Sequence, residues 1–152
     1  MKISIHSICK TKASDPENIL IQEYLKRTKW NIRLKESFPK KSFKDEESQK
    51  LQESALLLEN TENSHIIALD ERGKIFSSEE FADFLKKLQV QGVSNITFCI
   101  GGASGHHPSL LNKSRSSISL GKMTLPHKIA RLVLVEQLYR AETILNNHPY
   151  HK

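Results

Sequence analysis

NITFCIGGASG, residues 95–105, decides the fold. Ile96, Thr97, Phe98, Cys99 and Ile100 make a short run of β-branched and apolar residues, the composition of a strand buried on both faces. It runs directly into Gly101-Gly102, where the backbone is free to turn sharply. In an open α/β sheet, ligands bind at the carboxyl ends of the strands. The segment therefore predicts both a parallel sheet and the edge of that sheet where a site belongs.

Working outward, the two secondary-structure periods alternate. HIIALD (65–70) is a second continuous apolar strand, and KISIHSIC (2–9) and WNIRLKESF (30–38) alternate as strands do. Asp15-Pro16-Glu17 opens a helix with a cap candidate, a first-turn proline and an early acid. PKKSFKDEESQK (39–50) reads as a loop entering a helix near Lys50. Ser77-Ser78-Glu79-Glu80 caps a helix with Phe81, Phe84, Leu85 and Leu88 on one face. A short helix follows Pro108, then a strand SISL (117–120), a turn at Gly121-Lys122, and a long helix from Pro126 to Leu145. That last helix is apolar on more than one side, which predicts packing on the sheet and on a partner subunit. The expectation is one α/β domain, residues 1–152, with a mainly parallel sheet.

Composition narrows the function. The chain has 152 residues, 38% hydrophobic and 26% charged, and no apolar run long enough for a membrane helix. Cys9 and Cys99 lie in strands, so reduced thiols and a cytoplasmic, non-membrane protein are expected. The net charge of +6 is uneven. Residues 1–83 hold 14 Lys/Arg and 15 Asp/Glu (−1), and residues 84–152 hold nine and two (+7). Between Asp83 and Glu136 there is no acid, while Lys86, Lys87, Lys113, Arg115, Lys122, Lys128 and Arg131 all fall there. One-sided charge of this kind suits a polyanion such as RNA.

Three segments reach the carboxyl edge of the sheet: Leu69-Asp70-Glu71, Gly101–Gly105 and Leu120–Leu125. GGASG is neither GxGxxG nor a Walker loop, and no acid lies about 20 residues onward for a ribose. By itself the loop is equally well a tight turn. No serine stands in a GxSxG elbow, and Cys99, His106, His107, His148 and His151 lack metal-ligand spacing, so no metal is expected. His6 and His65 read as structural, and His106 and His107 as caps of the next helix. The ending NHPYHK (147–152) is unusual, because chain ends are ordinarily featureless unless tied down.

Taken together, IIALDERGK, ITFCIGGASGHH, SLGKMTLPHKIARLVLVEQLYRA and the terminal NHPYHK resemble the RlmH family. Its members are bacterial 23S rRNA pseudouridine N3-methyltransferases of the SPOUT (α/β-knot) class. The resemblance spans the chain, loosely between residues 10 and 60 and closely from about 65 onward. It implies a C-terminal trefoil knot, a homodimer, S-adenosylmethionine as cofactor, and as substrate a pseudouridine of helix 69 in 23S rRNA on the 70S ribosome. By position it implies cofactor contacts at Leu69, Gly101, Leu120, Gly121, Lys122, Met123, Thr124 and Leu125. His148, Tyr150 and His151 would shape the target-base pocket, with His148 or His151 as a proton acceptor, and Arg140 on the preceding helix would face phosphate or substrate. For Arg140 the alternative is an ion pair with Glu136, one turn earlier. This chain carries Ala103-Ser104 where some relatives carry Pro-Glu, so its loop brings no carboxylate of its own. The rival readings are another SPOUT activity, on a tRNA base or ribose, and a non-catalytic RNA-binding α/β domain.

Overall fold

The computed structural model describes residues 1–152. Strands β1 (Lys2–Ile8), β2 (Asn31–Ser37), β3 (His65–Ile75), β4 (Asn95–Ile100) and β5 (Ser116–Ser119) form one sheet in the order β2-β1-β4-β3-β5. Every neighbouring pair is parallel, as the apolar runs required. Helices α1 (Pro16–Arg27), α3 (Ser78–Val90) and α5 (His127–Leu145) cover one face. They enclose a core that includes Ile5, Ile67, Phe98, Leu85 and Leu138. Helices α2 (Glu46–Leu58) and α4 (Pro108–Lys113) cover the other face over Ile66, Ala68, Cys99 and Leu110. No helix is long and apolar enough to cross a membrane.

Local signals explain most boundaries. Ser77 and Glu80 complete a capping box at the start of α3. Asp15 stands at the N-cap of α1, but its carboxylate turns instead to the Lys12 amide and the Lys128 ammonium. Helix α2 begins four residues before the expected Lys50, because Asp45 accepts the Ser48 amide at 2.7 Å and starts it there.

The larger difference is β3. It was expected to end at Asp70 but continues to Ile75, bending around β5 as it goes. Ile118 pairs with Leu69 on one of its edges and with Lys74 on the other. Between them β3 crosses the face of β5 at Gly73. A Cβ there would lie 2.6 Å from the backbone nitrogen and carbon of Ile118 and 2.7 Å from the carbonyl carbon of Ser117. Those are main-chain atoms fixed by sheet hydrogen bonds, so only glycine fits.

Gly73→Ala should therefore destabilise the protein by at least the upper end of the about 1–3 kcal/mol typical of overpacking. In a chain of this size that is a fall of about 6–12 °C in Tm, at about 2–4 °C per kcal/mol. Thermal unfolding checks it, and a Tm equal to that of the wild-type protein would show that the two strands do not cross so closely.

Candidate active site

The β3 bend and the ends of β4 and β5 surround a cavity of about 640 Å³, within the range of small-molecule sites. Leu69, Asp70, Glu71 and Arg72 line it from β3, and Gly101–His106 from the loop after β4. Ile118–Gly121 and Met123–His127 line it from the segment leading into α5. Of the eight positions singled out from the sequence for a cofactor, seven face this one cavity. Lys122 is exposed on its rim. Lys50 from α2 and Ala130 from α5 also line it, and nothing in the sequence pattern connected them to the loops.

The walls are set by specific contacts. His106 is buried, and its Nε2 lies 2.9 Å from the Leu69 carbonyl, tying the glycine loop to the end of β3. Burial pushes its pKa down, so the ring is neutral and Nε2–H is the donor. A Cβ on Gly101 would lie 3.2 Å from this ring and from the Gly105 carbonyl oxygen, closer than ordinary contact, so a side chain there would crowd the loop's own packing. Gly105 and Gly121 both have positive φ, at 77° and 146°. His107 caps α4, its Nδ1 accepting the Ser109 amide. No cluster of three His, Cys, Asp or Glu side chains is placed to hold a metal ion.

The tail lies elsewhere. Arg140 donates to Glu136 Oε1 at 2.6 Å, the intrahelical pair named as the alternative, and Tyr150 donates its hydroxyl to the same oxygen at 3.0 Å. Arg140 also covers the Tyr150 ring, 4.8 Å from its centroid, and donates to His151 Nδ1 at 3.3 Å. His151 Nε2 then donates to Glu79 at 2.8 Å. His148 is exposed. None of Arg140, His148, Tyr150 and His151 lines the cavity. Thirteen residues of helix separate His127 at its wall from Arg140, about 20 Å at 1.5 Å per residue. One subunit therefore does not bring the two groups of residues together.

Comparison with known proteins places this geometry. The pattern described as "Predicted SPOUT methyltransferase" matches residues 1–151. A "Ribosomal RNA large subunit methyltransferase H" of Rhizobium etli is 41% identical over all of this chain and 99% of its own. The chain belongs to the RlmH family of SPOUT methyltransferases. Proteins with the same description from Christiangramia forsetii (37% identical, 99% of both chains) and Rhizobium leguminosarum (48% identical, 70% of this chain and 67% of that one) are similarly related.

One surface expectation fails for this methyltransferase. Arg131 is 1% exposed and cannot meet a phosphate. One terminal nitrogen donates to Glu36 and the Cys9 sulfur and the other to Asn18 and Thr11, so Arg131 fastens α5 to α1 and to the ends of β1 and β2. Truncating one partner of such a buried pair is costly, which makes it a structural residue.

The neutral His106 generates a pH prediction. Its folded pKa lies below the unfolded value near 6.5, so its contribution to stability is complete above about pH 6.5. The contribution is lost as pH falls through the folded pKa. His106→Gln keeps a donor for Leu69 and removes the titration. The unfolding free energy of the variant should fall less steeply below pH 6.5, by up to about 1.4 kcal/mol per pH unit. Parallel profiles from denaturant titrations would remove His106 from this role.

Proposed function

We propose that this methyltransferase methylates N3 of a pseudouridine in helix 69 of 23S rRNA, acting on the assembled 70S ribosome as a homodimer. The observation that carries the reading is the cavity where three strand ends converge, in a chain whose full-length relatives bear the name of a large-subunit rRNA methyltransferase. The cavity suits S-adenosylmethionine. It is large enough, walled by glycine backbone at 101 and 121, and lined by Leu120, Met123 and Leu125 with polar atoms between them. Leu69, Gly101 and residues 120–125 would hold the cofactor. The wrapping of β3 around β5 is read as one crossing of the trefoil knot of this class, and the cytoplasm, where ribosomes work, as the compartment.

S-adenosylmethionine supplies a methyl group already activated on a sulfonium. The residues of the chain have to bind, align and accept a proton, since alignment is the main catalytic lever when the group to be transferred is already activated. Tyr150 is not the proton acceptor: burial and its bonds to Tyr24 and Glu136 push its pKa up, and it stays a phenol. Both nitrogens of His151 are engaged, by Arg140 and Glu79. His148 is exposed, and its one contact, Nδ1 accepting the Tyr150 amide, is long at 3.3 Å; released from that contact, Nδ1 is assigned the acceptor role.

The tail reaches a cavity only by dimerisation. Ile129 and Val133 are partly exposed on α5 and belong to neither core, and Met123 beside the cavity is 85% exposed. A second subunit covering this face would bring its tail to the first subunit's cavity. The exposed lysines 86, 87 and 122 would add to the positive surface that the RNA meets.

Two measurements test the reading. Mass-spectrometric mapping of 23S rRNA from cells with and without the gene should show one N3-methylated pseudouridine, in helix 69, that disappears with the gene. An unmodified helix 69 alongside loss of a methyl group elsewhere would refute the substrate. Separately, a Gly121→Val subunit and a subunit truncated after Asn147 should each be inactive. Co-folded in equal amounts they should recover about a quarter of wild-type activity, because half the dimers are mixed and each has one intact site. No recovery would place the tail on its own subunit's cavity or on none.

A further inference from the structure

Behind the glycine loop stands a carboxylate that the reaction as described does not use. Glu53, on α2, is 4% exposed. Its Oε1 accepts the Gln49 side-chain amide at 3.0 Å, but its Oε2 is buried with no hydrogen-bond partner. The neighbouring lysine on the same helix, Lys50, is paired with Glu47 at 3.1 Å and does not neutralise it. The carboxylate is pressed against the loop: a Cβ on Gly102 would lie 2.8 and 3.0 Å from its two oxygens.

A buried charge without its full set of partners is unfavourable, so its persistence calls for a state in which it is satisfied. Uncommitted donors stand in the loop against which it is pressed. Gly105 N–H closes the turn onto Gly102 O at 3.1 Å, whereas the amides of Ala103 and Ser104 donate to no group of the protein. Two glycines flank them, so one peptide can rotate without a side-chain clash.

We infer that Glu53 is a positioning residue for the methyl-donor loop, accepting a loop amide through Oε2 when the cavity is filled. The inference rests on the reading that the cavity holds S-adenosylmethionine. It makes this carboxylate a cost to the empty protein and a gain to the loaded one. The loop lacks a carboxylate of its own, and α2 supplies one from behind.

The signature is a pair of effects with opposite signs. Glu53→Gln keeps shape and the bond from Gln49 while removing the charge, and Glu53→Met removes all polarity at similar volume. In the free protein both should raise Tm, by about 2–4 °C. Both should weaken S-adenosylmethionine binding, measured by calorimetry, about tenfold. A residue that merely supports the fold would lower Tm and affinity together, and that result would overturn the inference. Equal affinity in the wild-type protein and both variants would overturn it as well, leaving the cavity assignment intact. Absence of binding in the wild-type protein would refute the cavity assignment and this inference with it.

Discussion

Everything at the carboxyl edge of the sheet depends on one steric fact: β3 and β5 cross at contact distance, with Gly73 against the backbone of Ile118. Because no side chain intervenes, β3 can pair with both edges of β5 and bring Leu69–Arg72 around the strand end. The segment after β5 must then return across the ends of β3 and β4 before α5 begins, which draws three loops around a single space. An ordinary parallel edge strand would leave that space open on one side.

The cavity so formed is held by few contacts, each with an identifiable role. His106 fixes the glycine loop to the Leu69 carbonyl, and it does so as a neutral ring because burial disfavours its cation. Arg131 fixes the first turns of α5 to the end of β2 through Glu36 and to α1 through Asn18. The tail is organised around Glu136, shared by Arg140 and Tyr150. At its outer end Glu79 is held down to about 2 by its own backbone N–H and by the His151 imidazole. The cavity and the tail thus lie at opposite termini of one helix, and in the function proposed above a twofold arrangement of subunits joins them.

Much of this was legible in the sequence, for reasons that can be named. Apolar runs at 65–70 and 95–100 are strand signals, Ser77 and Glu80 are a local cap, and the loops at strand ends follow from parallel topology. What was not legible is non-local. The polar residues Glu71–Lys74 look like a loop, and only the path of β5 makes them strand. Arg131 looks like surface charge because its partners Glu36 and Asn18 lie 95 and 113 residues away. Glu53 sits among helix residues of ordinary composition, and its burial follows from where the glycine loop folds back. Asp45, by contrast, carried a readable cap signal inside a segment taken for loop.

The central claim is that the donor lies where the three strand ends converge and that the tail of a second subunit completes the site. A crystal structure of the dimer with S-adenosylhomocysteine bound tests both parts at once. The account predicts ligand density between Leu69, Gly101 and residues 120–125, with Tyr150 and His148 of the second subunit facing its sulfur. Ligand density outside this cavity, or a dimer that leaves both tails remote from both cavities, would contradict it.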